Sequence, residues 1–281
     1  VELESKKAGE VIQGIIKEAT PENIRRMDFL RPNFADEDGR LRAVVQAFLV
    51  KSSGKNILVD TCCGHGKTRT DVPEWGNLRI GFVQESYRLG VKKTDIDYVV
   101  CTHLHFDHVG GNTISKDGKW VPTFANAEYI FVREEYEYWE GGPEGEIDDD
   151  RAAFVDSVEP VMTAGLGRLV EEDYRLDDNV RLVPTKGHTP GHVSVAIESG
   201  GEKAVITGDA LHHPCQVAHP EWSTEADWDK DLAVASRKKM LEGVAGGGVL
   251  LIGSHFADPA AGYVVESKDN GTNKNIFIAR K

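Results

Sequence analysis

From Cys101 to Gly111 the chain reads Cys-Thr-His-Leu-His-Phe-Asp-His-Val-Gly-Gly, directly behind the apolar run Tyr98-Val99-Val100. Three histidines and an aspartate thus fall within six residues. Few features constrain a fold more, because burying so many polar rings without a shared partner leaves costly unmet groups. Any one histidine is ordinarily satisfied by core hydrogen bonds; a cluster this dense reads as a cation site. In extended backbone, positions two apart face the same way, so His103 and His105 can converge on one cation, and Asp107 shares their parity. His108 points elsewhere unless the chain turns, and Gly110-Gly111 permits that turn. Once turned, His108 can serve a second cation beside the first.

Three further apolar runs end in the same manner. Arg181-Leu182-Val183-Pro184 leads through Gly187 to His188, Ala204-Val205-Ile206 through Gly208 to Asp209, and Val249-Leu250-Leu251-Ile252 through Gly253 to His255. Strand ends that each deliver His or Asp describe a site on loops held by rigid supports. Other buried strands are expected over Ala43–Val50, Asn56–Val59, Tyr129–Val132, Val193–Ile197 and Ile276–Ile278, with Lys51–Lys55 as a hairpin loop. Helical patterns cover Gly81–Leu89, Asp149–Ala164 and Asp227–Leu241. Hairpin-paired strands mixed with helix-separated ones give sheets covered by helices, the α/β class. No repeat, low-complexity tract or long linker divides the chain, so residues 1–281 are expected to form one domain.

Charge narrows the partners. With 33 Lys+Arg against 46 Asp+Glu, the net charge is −13, which repels nucleic acid and anionic membrane alike. Arg237-Lys238-Lys239 reads as a solvated helix end. No stretch approaches the roughly 18 apolar residues that span a bilayer. The start, Val1-Glu2-Leu3-Glu4-Ser5-Lys6-Lys7, has no apolar signal core and no initiator Met. A cytoplasmic protein is expected, with a removed leader as the alternative. Cys62, Cys63, Cys101 and Cys215 read as buried free thiols. Arg133–Asp150, rich in Glu, Asp and aromatics, reads as a surface excursion or as a lid carrying Tyr136, Tyr138 and Trp139 over a pocket.

His103 to His108 spells His-x-His-x-Asp-His, and His188, Asp209 and His255 follow in order, so the chain resembles the metallo-β-lactamase superfamily over nearly its whole length. The resemblance implies an αβ/βα four-layer sandwich of two mixed β-sheets flanked by helices, with a dinuclear metal site at one end. Carried over residue by residue, His103, His105 and His188 hold the first metal. Asp107, His108 and His255 hold the second, and Asp209 bridges the two. The metals are two divalent transition-metal ions, zinc first, with Mn, Fe or Co as alternatives. Asp60, in Leu58-Val59-Asp60-Thr61, is expected to brace the histidines from behind. His192 reads as a hydrogen-bonded structural residue. His212 and His213 stand open between the pocket and plain loop placement, and His65 and His219 read as peripheral.

Asp209 stands where antibiotic-hydrolysing members place Cys or His, which moves β-lactam cleavage down the order. Leu58–Lys67, Gly208–Pro214 and Ser254–Pro259 resemble the branch of methyl parathion hydrolase and quorum-quenching lactonases. What this implies is an ester hydrolase whose two cations share an attacking hydroxide. Acyl lactones come first among its substrates, with organophosphate triesters or aryl esters behind, and Asp107 protonates the leaving oxygen. A glyoxalase II-like thioesterase, an iron-dependent sulfur dioxygenase and a non-catalytic metal-binding protein are the alternatives. Leu104, Phe106, Trp222 and Phe256 read either as apolar pocket walls or as ordinary packing. The expected partner is a small ester or lactone, with no nucleic acid and no membrane; a homodimer is compatible with a sequence that fixes no oligomeric state.

Overall fold

The computed structural model describes residues 2–12, 14–79, 90–142, 148–246, 248–269 and 272–280; the helix expected over Gly81–Leu89 lies outside them. In chain order the strands are β1 Glu2–Ile12, β2 Leu41–Ser52, β3 Lys55–Val59, β4 Tyr98–Val100, β5 Thr113–Lys116, β6 Lys119–Pro122 and β7 Glu128–Val132. They continue with β8 Gly167–Val170, β9 Val180–Pro184, β10 Val193–Ser199, β11 Glu202–Ile206, β12 Val249–Ile252, β13 Ala261–Asp269 and β14 Thr272–Ala279. Contacts gather the chain into two units: Val1–Lys6 with Val45–Glu172, and Lys7–Val44 with Asp173–Lys281.

The sheet of the first unit runs β1-β2-β3-β4-β7-β8. β2 and β3 pair antiparallel, and the turn between them holds Ser53 at φ 49° and Gly54 at φ 76°. Two successive left-handed residues match the twist of the flanking strands, which makes the expected loop a tight hairpin. β3, β4 and β7 run parallel, Val59 beside Val100 and Val100 beside Ile130. Parallel strands covered on both faces read as unbroken apolar runs, and Ile57, Leu58, Val59, Val99, Val100, Ile130 and Phe131 are all buried. Their shared direction also brings three carboxyl ends to one edge, where α/β sheets place their ligands. From that edge β3 continues to Asp60, β4 to His103, and β7 into the helix Arg133–Gly141. Helical segments Asp149–Ala153, Phe154–Val158 and Glu159–Thr163 follow one another where one helix was expected.

A charged cluster sits inside this unit. Lys67, 1% exposed, donates from Nζ to Thr113 Oγ1 at 2.6 Å and to the Asp156 carbonyl at 3.0 Å. Its ammonium lies 3.1 Å from Asp156 Oδ1 and 3.5 Å from the centre of the Trp120 ring. Burial lowers the Lys67 pKa to about 8, outweighing the Asp156 carboxylate, which pulls it upward. Between that value and the ordinary 10.5, the unfolded chain keeps a proton that native Lys67 has released. The residue's contribution to stability therefore rises with pH across that window. Urea unfolding of the parent and of Lys67→Met is expected to show the parent gaining about 2 kcal/mol on the variant between about pH 7 and about pH 10. A gap that does not change with pH contradicts the assignment.

The sheet of the second unit runs β9-β10-β11-β12-β13-β14. β11 and β12 are parallel, Ile206 beside Ile252. β10 is antiparallel to both β9 and β11, so β9 runs in the sense of β11. The carboxyl ends of β9, β11 and β12 thus reach one edge and lead to His188, Asp209 and His255. Phe34, Phe256 and Phe277 anchor the core edge to face, with centroids 5.1–6.3 Å apart. The helix expected over Asp227–Leu241 is Lys230–Val244, started by Asp229, whose carboxylate accepts the Leu232 N–H at 3.0 Å.

Arg237-Lys238-Lys239 is not a solvated helix end. It lies in mid-helix, and one turn sends Arg237 inward while Lys238 and Lys239 stay exposed. Arg237 is fully buried; Nε donates to the Ala210 carbonyl at 2.8 Å, and Nη1 to the carbonyls of Pro220 at 3.0 Å and Trp222 at 2.6 Å. All four cysteines are free and buried, as expected. Among the described residues no helix is long and apolar enough to cross a membrane.

Candidate metal centre

In the first unit, β4 stops at Val100, and His105 in extended backbone starts the short helix Phe106–Val109. That helix swings His108 round to its neighbours, so the chain turns upstream of Gly110-Gly111, where the sequence places the turn. The His103 ring lies 4.6 Å from His105 and 4.1 Å from His108, centre to centre. Asp60, fully buried, braces them as the resemblance implies. Its Oδ2 accepts from His108 Nδ1 at 2.9 Å and its Oδ1 from the Thr102 N–H at 2.8 Å. Thr102 Oγ1 donates to the same carboxylate at 3.0 Å and sits 3.1 Å from His103 Nδ1. With Nδ1 engaged in both rings, Nε2 is the atom each turns toward a cation. Asp107 is partly exposed, with Oδ2 3.7 Å from His108 Nε2.

Two acidic residues that sequence reasoning missed hold this loop. Glu135 Oε1 accepts the Leu104 N–H at 3.1 Å and Trp139 Nε1 at 2.9 Å. Asp150 Oδ1 accepts the Phe106 N–H at 2.8 Å, and its Oδ2 lies 3.8 Å from His105 Nε2. Burial pushes the Asp150 carboxyl up, against the pull of His105 and the Phe106 N–H. The described part of Arg133–Asp150 therefore supports the histidine loop, with Tyr136 and Trp139 buried and the Trp139 ring edge-on to His105 at 5.7 Å. Residues 143–147 of that segment lie outside the described residues.

In the second unit, Gly208 at φ 51° opens the tight turn Gly208–Ala210 that presents Asp209. Three imidazole nitrogens surround the Asp209 carboxylate: His188 Nε2 at 3.3 Å, His212 Nε2 at 3.1 Å and His255 Nε2 at 3.1 Å. The opposite nitrogens are engaged behind, His255 Nδ1 by the Val44 carbonyl at 2.8 Å and His188 Nδ1 by Asp227 Oδ1 at 2.9 Å. Asp227 in turn faces Arg237 Nη2 at 3.6 Å. Burial by itself would lower the His188 pKa, but Asp209 and Asp227 override it and raise the ring to about 9.

His192 is the hydrogen-bonded structural residue expected: its Nε2 accepts the Asp209 N–H at 2.8 Å, with Nδ1 2.9 Å from Thr185 Oγ1. His212, left open by the sequence, stands beside the candidate donors rather than in a plain loop. It is buried, stacks on His255 at 5.5 Å, and with His188 and Asp209 offers ligand atoms within 4.8 Å of one another. Its place three residues after Asp209, across a tight turn, was the available signal. His213 faces the other way, with Nε2 2.8 Å from the Phe34 carbonyl and burial pushing it down to about 4. His65 is exposed, and His219 pairs with Glu221 at 2.9 Å, both peripheral as read. Leu104 belongs to the core of the first unit, with Phe106 packed against it, and Trp222 and Phe256 belong to the core of the second, so the packing reading holds for these four.

Both sets offer imidazole and carboxylate, the donors borderline divalent ions prefer, and the rings stand already oriented by engaged Nδ1 atoms. The residues present fit transition metals. The Metallo-beta-lactamase superfamily model matches residues 41–245. An N-acyl homoserine lactonase of Bacillus sp is 31% identical over 159 residues, covering 55% of this chain and 54% of the relative. A probable metallo-hydrolase of Mycobacterium tuberculosis is 31% identical over 138 residues, 45% of this chain and 40% of that one. The chain thus spans about half the length of the curated relatives it matches. Among solved structures, AidC, a dizinc quorum-quenching lactonase in complex with a product, superposes with a TM-score of 0.77 at 23% identity, over 100% of this chain and 93% of that one. The hydrolase AbOPH, in the beta lactamase superfamily, gives 0.78 at 24%, over 100% and 94%. These likenesses concern the fold: mixed sheets with flanking helices.

Proposed function

The chain belongs to the metallo-beta-lactamase superfamily, and from that premise we propose that it is a metal-dependent hydrolase of small esters, with acyl lactones as its first substrates. The observation that carries the reading is the shared design of the two donor sets. His103, His108, His188 and His255 each have Nδ1 engaged from behind, so each presents Nε2. By the family resemblance, His103, His105 and His188 would hold one divalent ion, and Asp107, His108 and His255 would hold the other. Asp209 serves both. Zinc stands first, in line with the dizinc relative of the same fold. When bound, the metals supply Lewis-acid chemistry, activating water near neutral pH and polarising the oxygen under attack.

The chain's own residues do the rest. Asp60, Asp227 and the Val44 carbonyl fix ring orientation, so the donor atoms are placed before any ligand arrives. Asp107, a partly exposed carboxylate beside His108, would accept the proton released by the attacking water and pass it to the leaving alkoxide oxygen. A net charge of −13 disfavours polyanionic substrates and leaves neutral esters. Two relatives named N-acyl homoserine lactonase support the lactone assignment; aryl esters and phosphotriesters are proposed as slower side reactions.

Metal-loaded protein assayed on acyl lactones, S-acylglutathiones, aryl phosphotriesters and glutathione persulfide, with oxygen uptake followed, tests the reading. Lactone opening is expected to be fastest. His105→Ala should lose at least about tenfold in that assay while His219→Ala keeps the parent rate. A thioester preference, oxygen consumption on the persulfide, or equal losses in both variants would overturn it.

A further inference from the structure

The second unit carries a groove of 720 Å³ on one face of its sheet, lined by none of the proposed metal ligands. Cross-strand pairing defines its floor. Arg175 pairs with Arg181 through an isolated bridge, Arg181 with Ala196, and Ala196 with Val205. Residues directly opposite one another share a face, so these four form one row, and all four line the groove. Facing them, the helix Lys230–Val244 contributes Lys239 and Met240.

The row grades from apolar to charged. Val205 is buried and packs with Val244 and Met240 in the core of the second unit. Ala196 is half-buried, and its small side chain keeps the floor low. Arg181 and Arg175 are exposed at the outer end. Like charges directly opposite on paired strands destabilise the pair. Among the described residues neither guanidinium has an ion-pair partner, and Glu198 on the rim is already paired with Lys203 at 3.6 Å. Asp178, also exposed on the rim, pairs with neither arginine. In a chain of net charge −13, two arginines set side by side at the mouth of a groove whose inner floor is apolar point to an anion that completes them.

We propose that this groove binds the carboxylate of a medium-length acyl chain, the head between Arg175 and Arg181 and the tail over Ala196 toward Val205 and Met240. The volume falls within the range of small-molecule sites. From β9 to β11 is two strand spacings, about 10 Å, which suits a tail of about eight to ten carbons.

Calorimetric titration of the full chain with decanoate, 1-decanol and butyrate tests the site. One decanoate per chain is expected, bound at least about tenfold more tightly than either companion. Arg175→Gln with Arg181→Gln, both at exposed positions, should weaken decanoate by at least about tenfold. Ala196→Phe fills the floor and should abolish binding, while both variants hydrolyse esters at the parent rate. The proposal is overturned if decanoate binding survives these changes, if it is lost in His105→Ala instead, if 1-decanol binds equally well, or if a concentration-dependent dimer occupies the face.

Discussion

Asp209→Asn is expected to lose metal and turnover together, each by at least about tenfold, while its urea midpoint stays close to the parent's. The substitution keeps the shape of the side chain and the turn Gly208–Ala210, whose Asp209 N–H still reaches His192 Nε2. What goes is the charge at the centre of three imidazole nitrogens, those of His188, His212 and His255, all within 3.3 Å. A carboxylate can hold cations through both oxygens, whereas a neutral amide offers one weak oxygen donor and a repelling N–H pair. Metal affinity measured by chelator competition separates this from a folding defect. A variant with full metal and the parent rate would refute the central role of Asp209.

Gly110→Ala should cost at least about 3 kcal/mol in urea unfolding, the upper range for overpacking. A Cβ there would lie 2.0 Å from the Cys63 carbonyl oxygen, and one on Gly64 would lie 2.3 Å from the Gly110 carbonyl oxygen. Two backbones meet here with no room for a side chain. The contact also carries function, because it binds the segment after β3 to the end of the histidine loop. Thr61 N–H donates to the His108 carbonyl at 2.7 Å, which sets Asp60 behind His108. Gly243→Ala makes the control: it lies in the helix Lys230–Val244 with nothing within 4 Å of its added Cβ. That change should stabilise by about 0.5–1 kcal/mol. A Gly110→Ala midpoint near the parent's would contradict the packing account.

What could be read from the sequence was what local pattern carries. His103 to His108 announced a cation site because six consecutive residues hold its donors. The strand ends leading to His188, Asp209 and His255 were legible because each is a short apolar run ending at a glycine or proline. The supports were not. Glu135, Asp150 and Asp227 are acidic residues among many others, and only the fold shows that each accepts a particular N–H near a ligand. Arg237 looked solvated because a run of basic residues hides the helical period that turns one of them inward. The hairpin β5-β6 was legible and passed over: Asp117-Gly118, at φ 52° and 75°, is a strong turn signal between two short strands. β13, broken by Gly262 and Glu266, offers no comparable run and takes its place from its partners β12 and β14.

The central claim, that this chain opens esters with two metal ions held by its His and Asp residues, has a direct test. Protein stripped by chelator is titrated with zinc while acyl-lactone opening is followed by proton release. The account predicts no turnover without metal, and activity that climbs to a plateau at about two equivalents per chain. Full activity in the stripped protein, or a plateau at one equivalent, would contradict it.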